Sequence, residues 1–333
     1  MVTLNDIAER TGVTVATVSN ALRNRGRVAE QTRARILAVA EELGYEVNLR
    51  ARHLRIGRTD TIAFIAPSFH DYFSGLADEI AVEVEAGRRH LVLERTAART
   101  ENEREAISLT RLQMFDGVLL STVGLDREDI ARAQSRVPLV VLSEREMPAT
   151  VDHVMLANED GARLATAHMI DGGARNIVVL GGSTAPDLGI ASSRRAGWEA
   201  AHSDAGIVAD PRLIVPLPDF SMHDAREAVR RLLRDGVRFD AVFAVTDVVA
   251  LGAMSALTGH GCRIPQDIQV AGFDNIATSD YLSPGLTSVD PDHRGVAHTA
   301  MRLLARRIAG DPGPAEHIVV PVSLVVRGST RAR

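Results

Sequence analysis

Lysine is absent from this sequence, and cysteine occurs once, at Cys262. A single thiol can form neither an intrachain disulfide nor a cysteine-based metal cluster, and Cys262 reads as a small buried or half-buried apolar residue. The eleven histidines show no HExxH or comparable pairing, so no metal site is expected. No apolar run approaches the roughly 18 residues of a membrane span. Met1 leads straight into a helix start, with neither the basic segment nor the apolar core of a signal peptide. A cytoplasmic protein with no membrane partner is the expectation. No GxGxxG follows a first strand, no P-loop occurs and no nucleophile–base pair stands out. An enzyme on an α/β scaffold therefore has no support, and neither catalytic residues nor a cofactor are expected.

Of the 333 residues, 45% are apolar and 24% charged, enough for a large packed core and too apolar for general disorder. The net charge is −5, but its distribution says more than its sum. Residues 1–60 hold ten arginines against seven acidic residues, whereas the rest holds 28 against 36. A mildly basic head on an acidic body fits a DNA-binding tip attached to a larger sensor.

Residues 3–23, TLNDIAERTGVTVATVSNALR, are the most informative stretch. Thr3 and Asp6 have the spacing of a capping box, and Leu4, Ile7 and Ala8 give the first helix one apolar face. Gly12 permits a tight turn, Val13 plugs the gap, and Thr14 caps a second helix. Val18, Ala21 and Leu22 form that helix's apolar face. Val15, Ala16, Thr17, Ser19 and Asn20 are left on or near the other side. This is a helix-turn-helix whose second helix suits a major groove, although an ordinary helical hairpin would satisfy the stretch alone. Arg23, Arg25 and Arg27 follow, with Arg25 and Arg27 positioned for phosphates if they are not simply solvated. A third helix is expected over 30–43, stopped by Gly44.

Residues 48–54, NLRARHL, are too short for an independent helix in water. They read either as a segment that folds on DNA and wedges Leu54 into the minor groove, or as an interdomain tether. From residue 61 onward, short β-branched strands alternate with helices, the pattern of parallel sheets covered on both faces. Helices are expected at 73–86, 101–114, 159–171, 223–235 and 296–309, among others. Two such series predict two similar α/β lobes with ligand space at the strand carboxyl ends.

Taken together, these motifs resemble the lactose-repressor (LacI) family of bacterial transcription regulators over nearly the whole chain. The head carries TLxDIA at 3–8, GVxxATVS at 12–19, TRxRI at 32–36 and ELGY at 42–45. Asn48, Ala51, Arg52 and Leu54 match the NxxARxL hinge. DAVFAVTDVVALGAM, IPQDIQVAGFD, LTSVD and LVVRGST follow in the family's order. With the resemblance, the hinge reading of 48–54 replaces the tether.

The resemblance implies an α/β protein with an all-α helix-turn-helix head (1–47), a hinge helix and linker (48–60), and a two-lobed, doubly wound core resembling periplasmic binding proteins (61–333). The N-lobe would span about 61–156 and 290–320, and the C-lobe about 157–289 and 321–333. It also implies a homodimer on a pseudo-palindromic operator. The two Leu54 side chains would pry open the central base step, and Arg52 and Arg55 would lie near the minor-groove walls. A small sugar-like effector would sit between the lobes, contacted by Phe73, Glu144, Arg194, Phe220, Thr246 and Asp274. Carboxylates and a guanidinium can hydrogen-bond vicinal hydroxyls, and aromatic faces stack on sugar C–H surfaces. The chain departs from the family pattern at Glu144, where an aspartate is usual, at Thr246, where asparagine is frequent, and at Ala157. Val47 replaces a proline before the hinge. Leu188 and Ile190 stand where purine-sensing relatives tend to carry polar groups. The function expected is effector-gated repression of carbohydrate genes. A nucleoside or purine corepressor is the alternative, and a transporter's solute-binding protein is a reading from a different class. Whether the effector releases or tightens DNA binding is left open.

Overall fold

Thr3 opens the first helix as its capping geometry dictates: its hydroxyl accepts the Asp6 N–H, and the Asp6 carboxylate accepts the Thr3 N–H at 2.7 Å. Helix α1 (Leu4–Thr11) ends at Gly12, whose φ of +68° is the left-handed state that favours glycine. Helices α2 (Val15–Leu22) and α3 (Glu30–Glu42) complete the head. Their faces meet in a small core of Ile7, Ala8, Val18, Ala21, Ile36 and Ala40.

The structure, a computed structural model, describes residues 2–22, 26, 28–45, 58–145, 147–183 and 189–331. The chain divides into two units, residues 1–59 and 60–333. The expected hinge helix, with Arg52, Leu54 and Arg55, lies outside the described residues, as do Val47 and Leu188.

The second unit contains two six-stranded sheets. The first is parallel throughout, in the order β2 (His90–Arg95), β1 (Thr61–Ala66), β3 (Gly117–Ser121), β4 (Leu139–Leu142), β5 (Asp152–Leu156), β11 (His317–Val320). The second runs β7 (Ile214–Val215), β6 (Ile177–Leu180), β8 (Ala241–Ala244), β9 (Gln269–Phe273), β10 (Thr287–Asp290), β12 (Ser323–Val325), antiparallel at β12. We call the halves built on these sheets the N-lobe and the C-lobe. Strands β1, β3, β4, β6, β8 and β9 are buried almost end to end, which is why they read as continuous apolar runs.

Helices α4 (Tyr72–Ala86), α5 (Thr100–Ala106), α6 (Leu109–Leu112), α7 (Arg127–Gln134) and α12 (His293–Ile308) belong to the N-lobe. Helices α8 (Asn158–Asp171), α9 (Ile190–Asp204), α10 (Met222–Arg234) and α11 (Asp247–Gly259) belong to the C-lobe. The single helix expected over 101–114 is two, because Ser108 adopts extended backbone (φ −64°, ψ 151°) between them. The chain passes between the lobes three times, at 156–158, 290–293 and 320–323. No helix among the described residues is long and apolar enough to cross a membrane.

Candidate functional site

In the head, α2 presents the residues expected of a recognition helix, with one exception. Val15, 40% exposed, Ala16 and Asn20 face outward, while Thr17 is partly buried. The Thr14 hydroxyl accepts the Thr17 N–H at 3.2 Å and lies 2.9 Å from the Thr17 hydroxyl, so the helix start is ordered by its own cap. Ser19 is the correction: it is only 7% exposed and already has a partner. Its burial means that the expectation of an outward hydroxyl fails. Arg23 and Arg25 lie outside the described residues.

The core gathers residues from both lobes at strand carboxyl ends, where open α/β sheets bind ligands. Arg194, on α9, is 3% exposed and lies flat over Phe273, its guanidinium carbon 3.5 Å from the ring centroid. Its Nε donates to Asn158 Oδ1 at 2.7 Å, and its Nη1 donates to the Val245 carbonyl and to Asp274 Oδ1 at 3.5 Å. Asp274 follows β9 and is 5% exposed; burial pushes its carboxyl up to about 8, against the opposing pull of Arg194. Glu144 follows β4. Burial raises its carboxyl too, while Arg194, the Leu156 N–H at 3.4 Å and Asn158 favour the ionised form. Burial likewise works against the Arg194 charge, and Asp274 and Glu144 sustain it. Two carboxyl groups from opposite lobes thus flank one guanidinium.

The aromatic expectations fall into two groups. Phe73 is partly buried and meets Tyr72 edge to face, centroids 5.1 Å apart. Tyr72 itself feels Glu144, Asp274 and Arg194, and burial with the two carboxylates pushes its phenol up. Phe220 packs near Gly181 on the Val245 side: a Cβ at Gly181 would stand 3.4 Å from its ring. Thr246 serves as the N-cap of α11, its hydroxyl accepting the Val249 N–H at 3.2 Å. That bond accounts for Thr246 without a ligand.

Three residues of the site escaped the sequence reading. Asn158, at the start of α8, is not among the residues expected from the sequence. It is 3% exposed, and its Nδ2 has no hydrogen-bond partner among the described residues. Its side chain lies beside Glu144, whose ionised form it favours. Tyr72 was passed over for Phe73. Asp247 is fully buried behind Asp274; its carboxyl, raised to about 6 by burial, accepts from Ser288 Oγ at 2.6 Å, Ser279 Oγ at 2.7 Å and the Ile276 N–H at 2.9 Å. A Cβ at Gly272 would overlap Asp247 Oδ1, which explains that glycine.

Residues 3–48 match the description "bacterial regulatory proteins, lacI family", and residues 166–330 match a periplasmic binding protein-like domain. The ribose operon repressor of Halalkalibacterium halodurans is 31% identical over 332 residues, 99% of this chain and 98% of that one. The chain belongs to the lacI family. Within it, the repressor PurR of Aliivibrio fischeri is 30% identical over 313 residues, 92% of each chain. The lac repressor dimer, solved bound to operator and the anti-inducer ONPF, superposes with a TM-score of 0.84 at 26% identity over 99% of both chains. The regulator CelR in complex with cellobiose gives 0.72 at 28% identity over 99% of this chain and 100% of that one. As a lacI-family member the chain is a DNA-binding transcriptional repressor under small-molecule control, and it shares the family's role as regulator rather than enzyme.

Proposed function

We propose that this repressor controls genes of carbohydrate uptake or catabolism in the cytoplasm, and that its effector is a small sugar held between the lobes by Glu144, Arg194 and Asp274. The observation that carries the reading is this buried set of carboxyl and guanidinium groups, drawn from both lobes at the strand carboxyl ends. Glu144 accepts from sugar hydroxyls, the Asp274 carboxyl accepts or donates, Arg194 and Asn158 donate, and Phe73 and Phe220 offer apolar faces nearby. Phe220 and Thr246 contribute less directly, the latter through the helix it caps. The ribose operon repressor and the CelR–cellobiose complex support a sugar.

The protein would act as a homodimer, as in the lac repressor structure, with each α2 in the major groove of one half of a pseudo-palindromic operator. Thr14, Val15, Ala16, Thr17 and Asn20 would read or flank bases, Arg23 and Arg25 phosphates, and the 48–54 hinge with Arg52, Leu54 and Arg55 the minor groove. Ligand binding shifts the population of lobe arrangements, and with them the two hinges. The PurR relative favours a second reading, a nucleoside or purine corepressor at the same cleft. A thermal-shift screen of sugars and nucleosides, followed by DNA titration with any hit, separates the two. A sugar hit that changes DNA affinity upholds the proposal, whereas a response confined to purines replaces it.

A further inference from the structure

The turn that carries Asp274 is held in an unusual backbone state. Asp274 and Asn275 are consecutive non-glycine residues with φ of +110° and +45°. The Asp274 conformation is the costlier of the two, since asparagine tolerates the left-handed region, and such states persist where the surroundings over-determine them. Here the surroundings are explicit. The Asp274 N–H donates to the Val289 carbonyl at 2.9 Å, the Asn275 N–H to Ser288 Oγ at 3.0 Å, and the Ile276 N–H to Asp247 at 2.9 Å.

The Asn275 side chain then reaches in two directions. Its Nδ2 donates to Asp290 Oδ2 at 2.8 Å, and its Oδ1 accepts from Arg327 Nη2 at 2.8 Å. Asp290 ends β10 where the chain leaves for the N-lobe. Its other oxygen accepts the Asp292 N–H at 2.8 Å, and Asp292 caps α12 through the Gly295 N–H at 3.0 Å. Arg327 follows β12, the first strand after the return crossover at 320–323. One amide therefore joins the residue beside Asp274 to two of the three lobe crossovers. An amide is suited to this because it donates and accepts at once; a carboxylate at 275 would face Asp290 as a like charge. Past Asp292, the His293 ring lies 4.9 Å from that of Tyr72, which feels Asp274 and Glu144 from the N-lobe side.

We propose that Asn275 is the positioning residue through which occupancy of the cleft reaches the lobe crossovers. The inference rests on the reading of Glu144, Arg194 and Asp274 as the effector site. A ligand hydroxyl that draws on Asp274 moves a strained turn, and the next residue cannot follow without displacing Asp290 or Arg327. The two lobe arrangements then differ in how well this amide is satisfied, which is the differential contact that a population shift needs.

The test uses the full-length protein and the DNA upstream of its own gene, with D-ribose, D-glucose, D-galactose and cellobiose as probes. In the wild type, one of these sugars changes operator affinity within the usual coupling range of about 5- to 150-fold. In N275A, operator affinity without sugar and affinity for that sugar both stay within about threefold of wild type. The sugar's effect on DNA binding drops below about twofold. N275D fails in the same way, and N275D/D290N, which restores an amide–carboxylate bond with the partners exchanged, recovers the switch. Wild-type switching in N275A overturns the proposal and leaves the site standing. Parallel loss of sugar affinity and switching, with no recovery in the exchanged pair, also overturns it, since Asn275 would then be a plain structural residue. A wild type that ignores all four sugars, or a D274A variant that still responds to one, overturns the reading beneath it.

Discussion

The recognition helix and the interlobe cleft solve opposite problems. The outward side of α2 is short-chained and lightly bonded: Val15, Ala16 and Asn20 are exposed, and the cap at Thr14 is the main polar order. The cleft is the reverse, with charges taken out of water and held by many partners around Arg194 and Asp274. A surface that must dock on DNA can leave its polar groups to be satisfied by the partner. A buried site must be satisfied in advance, as Arg194 is by Asn158, the Val245 carbonyl and Asp274. Substitutions in the two regions should therefore differ in kind: loss of stability with loss of binding in the cleft, loss of discrimination with little change of fold on α2.

The largest effect is expected at Arg194. Arg194→Ala strands Asp274 and Glu144 without their guanidinium and should destabilise the core by about 3–5 kcal/mol, read from urea unfolding, and abolish sugar binding. Arg194→Lys keeps the charge but not the fork or the stacking on Phe273, and should recover a part of each loss. A core as stable as wild type in Arg194→Ala would break the contrast at once. In the head the equivalent stress falls on packing. Ile36→Ala removes a fully buried side chain from a core of six residues and should cost about 2–5 kcal/mol, enough to melt the head. Specific DNA binding should vanish while sugar-induced thermal stabilisation survives.

Acidity sharpens the comparison further. The folded-state value for Asp274, about 8, lies above that of the unfolded chain, so the folded protein holds a proton there that the unfolded chain releases. Its contribution to stability is present in full at low pH and is lost as pH rises toward 8. Asp247, at about 6, acts in the same sense at lower pH, so the two separate above pH 6. Between pH 6 and 8 wild-type stability should fall by up to about 1.4 kcal/mol per pH unit. Asp274→Asn should flatten that fall; an unchanged slope in chemical unfolding would count against a protonated Asp274. On α2 the expected effects are smaller and selective. Asn20→Ala should relax preference at one or two operator positions by about 1–3 kcal/mol each, whereas Ser19→Ala should leave base preference unchanged. A binding screen over half-site variants reads both, and equal losses on every sequence for Asn20→Ala would contradict base contact. Smallest of all, Thr246→Ala should cost about 1 kcal/mol of core stability by uncapping α11, with sugar affinity nearly intact.

The two regions also differ in how much of them sequence alone reveals. The head is legible because its signals are local: the Thr3–Asp6 box, the Gly12 turn and the apolar spacing lie within a few residues of their effects. The alternating strands and helices of the core are legible for the same reason, but less completely. Strand β5 went unread because Asp152 and His153 interrupt its apolar character. Both are buried by distant partners: Arg307 bonds Asp152 at 2.5 and 3.0 Å, and His153 Nε2 donates to the Ser143 carbonyl at 2.6 Å. Helix α7 was missed because Ile130 and Ala133 are its only buried apolar residues. The cleft draws on residues from 72 to 274, so no window of sequence displays it. Arg194 and Asp274 surfaced because the family resemblance assigns them to the effector. Asn158, Tyr72 and Asp247 did not, since what sets them apart is burial beside charges far away in the chain. Ser19 shows the converse error, a residue assigned by its type to a surface that packing closed.

The central claim is that a sugar bound at the Glu144–Arg194–Asp274 cleft controls DNA binding by the head. Fluorescence anisotropy with a labelled fragment from upstream of the protein's own gene tests it most directly, titrating wild type and Arg194→Lys with and without the sugar that stabilises the protein. The account predicts specific binding by both proteins without sugar, a change of about fivefold or more on adding sugar to the wild type, and a much weaker response in Arg194→Lys. The same DNA affinity in wild type with and without every sugar that stabilises it would contradict the account.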